Sequence, residues 1–341
     1  MKPNPLAEFD ALEALIEQGH PYVQARRLGT VQVNDVVLPL LMITLGSDDV
    51  GKPGIGFFGG VHGLERIGSE VVTAYLRSLI MRLPWDESLH HQLQQVRIVM
   101  MPRVNPGGLW LGTRANPRGV DLMRNAPIEA TESVPFMIGG QRLSAEMPWY
   151  RGAVNAPMEV ESAAVCHAVE QELHPRPFSL TVDCHSGFGL QDRLWFPYAH
   201  TARPIPHLPE VYALWQIFER TMVHHRYVFE PQSLQYLTHG DLWDYLYQRS
   251  LKAAEKVFLP LTLEMGSWLW IKKNPRQVFN RMGIFNPLIG HRQERVMRRQ
   301  IALLDFFTHA AASANRWLPK IGMRAEHAAM AQARWYSGRS V

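Results

Sequence analysis

The sequence predicts a single α/β domain, and three observations carry that prediction. The apolar run Ile55-Gly56-Phe57-Phe58 passes through Gly59-Gly60-Val61-His62-Gly63-Leu64-Glu65 into Val71–Ile80, where apolar residues recur at three- and four-residue steps. A buried strand therefore runs into a helix. Further short apolar runs follow at 96–102, 178–184 and 259–263, interleaved with a helical segment at 158–173. Finally, 341 residues with 46% hydrophobic and 19% charged side chains supply one sizeable core and exclude a disordered or fibrous chain.

Composition also limits function. The net charge of +4 and pI near 9.1 are mild, and the basic residues are spread without a dense block, which gives nucleic-acid binding little footing. Two cysteines, Cys166 and Cys184, make no disulfide framework and suit a reducing compartment. The stretch Met1–Asp10 lacks the apolar core of a signal peptide, and no run is long enough to span a bilayer. A cytoplasmic location without a membrane partner is the expectation. No repeat of fixed period and no low-complexity tract is present.

Taken in order, Leu6–Gln18 reads as a helix. Val31–Val33 and Val36–Leu45, joined by Asn34-Asp35, read as a hairpin leading into the sheet. After the strand and helix around His62, Val96–Met101 is a second buried strand, ended by Pro102. A Gly-, Pro- and Asn-rich loop from Asn105 to Pro127 is too long for a mere connector, and such loops are often functional. Met158–Leu173 is helical, Phe178–Cys184 and Leu259–Leu263 are strands, and Gln293–Ala310 is a final amphipathic helix with arginines on one face. The tail Arg316–Val341 carries Trp317, Met323, Met330 and Trp335 and packs either on the body or on another subunit, as in a homo-oligomer.

The candidate chemistry clusters at strand ends, where a sheet holds side chains rigidly and the following loop leaves them accessible. His62 and Glu65, three residues apart, can close on one Zn²⁺. An isolated His-x-x-Glu is more often a surface pair, because it recurs by chance in long chains. What changes the balance is His185, which stands after its strand as His62 stands after the first. It would complete a His₂Glu set, and open catalytic zinc sites use three protein ligands and a water. Glu264 is an acid inside an apolar strand, costly to bury without a cation or a function, and is the candidate general base. Arg114 and Arg124, on the long loop, are the side-chain type that holds carboxylates bidentately or faces an oxyanion. His224, His225 and His239 have no acidic partner at ligand spacing and read as surface or core histidines.

These pieces together resemble the zinc carboxypeptidases of the M14, carboxypeptidase A-like, group. The matching stretches are Gly60–Glu65, Asn105–Gly108, Gly112–Arg114, Gly119–Asn125, Tyr150–Gly152, Asp183–Ser186 and Thr262–Glu264, in the family's order and at about its separations. The resemblance implies a mixed, mostly eight-stranded sheet between helices, with a catalytic domain over 1–290 and a helix and tail over 291–341. It implies one zinc on His62, Glu65 and His185 and Glu264 as base. Asp121 becomes the partner of His62, Arg114 faces the scissile carbonyl, and Arg124 grips the substrate's terminal carboxylate. The family's mobile tyrosine is matched by Tyr236, with Tyr245 and Tyr247 as competitors. The implied reaction is hydrolysis of a peptide bond by metal-activated water.

Two departures bear on substrate. Met123 stands where the family usually has Asn beside Arg124, and Leu111 stands three residues before Arg114, where many relatives carry Arg. Half of the carboxylate grip is therefore missing or altered. The His-Gly-x-Glu form also occurs in murein-peptide amidases and in aspartoacylase-like enzymes, so murein peptides and N-acyl amino acids stand beside peptides as substrates. A catalytically inactive binding protein is the reading from a different class. Loss of a ligand or of the base would favour it, and both are present.

Overall fold

Asn34 turns with a φ of 51° between the two N-terminal apolar runs, a left-handed conformation that Asn tolerates better than most residues. The runs accordingly pair as an antiparallel hairpin, β1 (Gln24–Val33) with β2 (Val36–Gly46). The computed structural model describes residues 5–253 and 255–337. The first four residues of the N-terminal stretch and the last four of the tail lie outside the described residues. Helix α1 (Pro5–Gln18) precedes the hairpin and packs on α2 (Arg66–Arg82).

The remaining strands are β3 (Gly54–Gly59), β4 (Arg97–Met101), β5 (Phe178–Ser186), β6 (Arg193–Phe196), β7 (Val228–Pro231) and β8 (Val257–Met265). They form one eight-stranded sheet in the order β1-β2-β4-β3-β5-β8-β6-β7. The centre, β4-β3-β5-β8, is parallel, and β2 and β6 flank it antiparallel. Every residue of β3, β4 and β5 is buried, as required of strands covered on both faces.

The two covers are legible from neighbouring residues of β5. Gly68 of α2 lies so close to this strand that a Cβ there would come within 2.0 Å of the Cys184 carbonyl oxygen. Asp183, which points the other way, accepts a hydrogen bond from Trp243 Nε1–H at 2.8 Å. Thus α2, joined by α9 (Gly290–Ala312), covers one face. Helix α7 (Leu242–Ser250) covers the other, together with α5 (Val160–Glu172). On α9, Leu303, Leu304 and Phe307 are fully buried, each contributing about 1.5–3 kcal/mol of apolar burial.

Several elements were not foreseen. β6 and β7 have four residues each, too few for a periodic signal. Helices α3 (Glu87–Leu93) and α6 (Leu208–Thr221) also went unpredicted; α3 starts at Asp86, whose side chain caps Leu89 N–H at 3.1 Å. The loop from Asn105 is partly ordered, holding α4 (Pro106–Leu111) and a 3₁₀ turn at Leu122–Arg124. Beyond β8 come α8 (Trp268–Lys273), α10 (Ala314–Trp317) and α11 (Arg324–Trp335).

The described part of the tail lies on the body of its own chain. Helix α11 packs on α6. The Trp335 ring meets Phe196 edge-on at 4.9 Å between centroids, and its Nε1–H donates to the Phe229 carbonyl at 2.8 Å. Trp317 donates likewise to the Ala310 carbonyl at 2.7 Å.

Candidate active site

His62 and Glu65 occupy the short connection between β3 and α2, and two glycine-dependent contacts set its path. Gly63 touches the backbone of Gly108 so closely that an added Cβ would sit 2.0 Å from the Gly108 carbonyl carbon. Asn105 locks the other side: its Nδ2–H donates to the Val61 carbonyl at 3.1 Å while its Oδ1 accepts from Gly108 N–H at 2.7 Å. The Asn105-Pro106-Gly107-Gly108 segment thus braces the loop that carries His62. His185 is the penultimate residue of β5, inside the strand rather than after it. Glu264 is its register partner on β8.

One nitrogen of each histidine and a Glu65 oxygen lie within 4.8 Å of one another, and all three residues are buried. His185 Nε2–H donates to Asp183 Oδ2 at 2.7 Å, which turns Nδ1 toward Glu65 Oε2 at 3.1 Å. Asp183 was missed in the sequence, although residues two apart on a strand share a face and the pattern Asp-x-His was readable. Glu65 Oε2 also accepts from Ser186 N–H at 2.9 Å.

Arg114 reaches into this trio. Its guanidinium donates to Asp121 Oδ2 at 2.9 Å, to Glu65 Oε1 at 3.3 Å and to His62 Nε2 at 2.8 Å. Asp121 is expected from the resemblance to serve His62. The two approach only to 3.8 Å, beyond hydrogen-bond reach, and Asp121 instead holds Arg114 and the Met123 N–H. The physical reason is charge: the guanidinium beside Asp121 offers a stronger partner than a neutral imidazole.

Electrostatics separate the roles. Burial, then Arg114, lowers the His62 pKa well below the ordinary imidazole range, so this ring is neutral. For His185 burial pulls downward, and the Asp183 and Glu65 carboxylates overcome it, raising the pKa well above that range. Burial, reinforced by Glu65, pushes the Glu264 carboxyl up to about 8. For Arg114, burial opposes the charge and Asp121 and Glu65 more than offset it.

These side chains open on a cavity of about 860 Å³. Arg124, Met123 and Tyr236 line it, whereas Tyr245 and Tyr247 do not. Tyr247 is buried against His207, and Tyr245 lies under Arg249. Asp241, Gln232, Trp195 and Thr262 also line the cavity; Thr262 stands in the stretch Thr262–Glu264, and the other three carry no sequence motif that marks them as such. His225 and His239 pair with Glu219 and Glu129, and neither these two nor His224 lines the cavity.

A family model described as zinc carboxypeptidase matches residues 29–265. The chain belongs to the zinc carboxypeptidase family. Solved structures agree on the fold. Thrombin-activatable fibrinolysis inhibitor superposes with a TM-score of 0.67 at 15% identity, over 91% of this chain and 74% of that one. Carboxypeptidase A from Helicoverpa armigera superposes at 0.58 and 15% identity, over 87% and 73%. The bovine inhibitor in complex with tick carboxypeptidase inhibitor gives 0.58 and 15% identity, over 88% and 98%.

Zinc is this family's metal, and the residues present fit it. Two imidazoles and a carboxylate are the donor set of open catalytic zinc sites, for which the carboxypeptidase A ligand set is itself a standard example. The buried Nδ1 of His62 has no hydrogen-bond partner among the described residues. That is a costly vacancy for a structural histidine, and a natural one for a ligand.

Proposed function

We propose that the protein is a metallocarboxypeptidase that hydrolyses the amide bond next to a residue bearing a free carboxylate. One observation carries this reading. Arg124 is 4% exposed, lines the cavity, donates to the carbonyls of Ile138 and Met123 and meets the Tyr236 hydroxyl, and no carboxylate is ion-paired to it among the described residues. A buried guanidinium in that condition calls for an anionic ligand.

The residues then divide the work. Zinc, when bound, supplies the Lewis acidity that activates water and polarises the carbonyl. Glu264, whose Oε1 accepts from Phe188 N–H at 3.0 Å, takes the proton from the attacking water and returns it to the leaving amine. Arg114 faces the carbonyl oxygen as charge develops there; removal of such a donor typically costs roughly 10²–10³ in rate. Arg124 aligns the carboxylate. Tyr236 closes beside it: burial raises its phenol pKa, Arg124 opposes this, and the hydroxyl therefore stays protonated as a donor. The two cysteines are buried and unpaired, which supports a reducing compartment for this activity.

A second reading has a specific observation behind it. Met123 is buried on the cavity wall where a second carboxylate donor is expected, which suits a short N-acyl group or a murein peptide. Product analysis by mass spectrometry decides between them, using the zinc-loaded protein and a mixture of free and amidated peptides, murein peptides and N-acyl amino acids. Release of single C-terminal residues from free peptides is the expected result. Cleavage confined to N-acyl amino acids or to murein peptides would replace our reading.

A further inference from the structure

From Met265 to Gln293 the chain carries Lys272, Lys273, Arg276, Arg281 and Arg292 and no aspartate or glutamate. This segment supplies Trp268, Arg281, Ile284 and Phe285 to the cavity wall. It is fastened to both metal-ligand loops. Trp268 Nε1–H donates to the Gly187 carbonyl at 2.9 Å and Ser186 Oγ–H to the Phe285 carbonyl at 2.7 Å. Asn286 donates to the Leu64 carbonyl at 2.8 Å and accepts from Ile67 N–H at 2.9 Å. Gln277 ties the segment to itself through the carbonyls of Gly283 and Asn286, both at 2.6 Å.

On this braced wall Arg281 is exposed and has no hydrogen bond or ion pair to any described residue. Of the other charges lining the cavity, Arg124 is the one the substrate carboxylate would meet and four are engaged. Glu65 is part of the ligand trio, Glu264 is the base, Asp241 caps α7, and Arg114 is held by Asp121. Glu146 also lines the cavity, is likewise exposed, and has no ion pair to Arg281 or to any other described residue. Arg124 is buried and Arg281 is at the open mouth. A substrate whose carboxylate reaches the buried Arg124 has the rest of its chain directed toward the exposed part of the cavity wall, to which Arg281 belongs.

We propose that Arg281 determines specificity for an acidic group on the N-terminal side of the scissile bond, making acidic peptides the preferred substrate class. This rests on the carboxypeptidase reading above. The uniformly positive segment adds a steering field to the single contact. Because the guanidinium is solvent-exposed, the preference is modest, up to about five-fold, and is weakened by salt.

The test compares N-acetylated tripeptides with Glu, Gln or Lys before a C-terminal Leu. Their kcat/KM is measured with the wild type, Arg281→Ala and Arg281→Glu, and their binding with the zinc-loaded Glu264→Gln form of each, by fluorescence anisotropy. The wild type should favour Glu over Gln about five-fold at low salt. Arg281→Ala should bring that ratio near one, and Arg281→Glu should turn the preference to Lys. A wild-type ratio of one, or a ratio that Arg281→Ala leaves unchanged, overturns the proposal. If no peptide is cleaved yet binding keeps the Arg281-dependent preference, the acidic-group role stands and the carboxypeptidase reading falls.

Discussion

His185 and Glu264 are register partners on adjacent parallel strands, β5 and β8, so a metal-ligand candidate and the candidate base stand side by side on one face of the sheet. Two backbones fix this spacing, and neither side chain depends on the other for its place. Glu264→Gln should therefore keep about one zinc per chain while kcat falls by roughly 10²–10⁴, since the amide retains the shape and loses the proton acceptor. His62→Ala and His185→Ala should lose the zinc. Metal analysis with steady-state kinetics checks both; turnover near wild type in Glu264→Gln would place the base elsewhere.

Met123 and Arg124 are adjacent on the 3₁₀ turn and both face the cavity. A thioether donates no hydrogen bond, so Met123 packs against substrate while Arg124 holds the carboxylate alone. We expect Met123→Asn to lower kcat/KM on the true substrate and to bring no gain on free C-termini. Paired kinetics on free and amidated peptides read this directly. A gain of about ten-fold confined to the free form, the worth of one added charged hydrogen bond, would refute it.

Asp241 caps α7 through Trp243 N–H at 3.0 Å and Asp244 N–H at 2.9 Å. Burial, and then the neighbouring Asp244 carboxylate, push its carboxyl up to about 7. The folded chain thus holds this proton more tightly than the unfolded chain. The corresponding stability is fully present below about pH 4 and is lost as pH rises through about 7. Asp241→Asn keeps a capping oxygen without the charge. Its Tm relative to wild type, followed by calorimetry from about pH 5 to pH 8, should rise with pH by a few degrees. A difference constant in pH would mean that Asp241 does not titrate in this window.

Trp335 tests whether α11 is part of the folded body. The ring is 6% exposed and packs on Phe196 and Tyr212. Trp335→Ala should cost about 3–5 kcal/mol and lower Tm by about 4–7 degrees, with zinc content unchanged. A Tm equal to wild type would show that α11 adds nothing to the stability of the core.

The sequence by itself determined the buried central strands β3, β4, β5 and β8 and the trio carried by two of them, while their parallel pairing is read from the structure. Buried strands announce themselves as dense apolar runs, and His62, Glu65, His185 and Glu264 stand at the ends of three such runs, β3, β5 and β8, where polar residues are conspicuous. It also pointed to Arg114, Arg124 and Tyr236 through motif resemblance, and all three line the cavity. Only the tertiary structure decided what their neighbours are. That Asp121 serves Arg114 more closely than His62 depends on distances between a loop and a strand end far apart in sequence. That Tyr236 lines the cavity while Tyr245 and Tyr247 do not turned on which side of α7 and its preceding loop meets it. The four-residue strands β6 and β7 form because β8 and their own pairing supply the ladder, and α11 is placed by Trp335 fitting against Phe196 and Phe229. Such contacts join residues from 35 to more than a hundred positions apart, and no local periodicity records them.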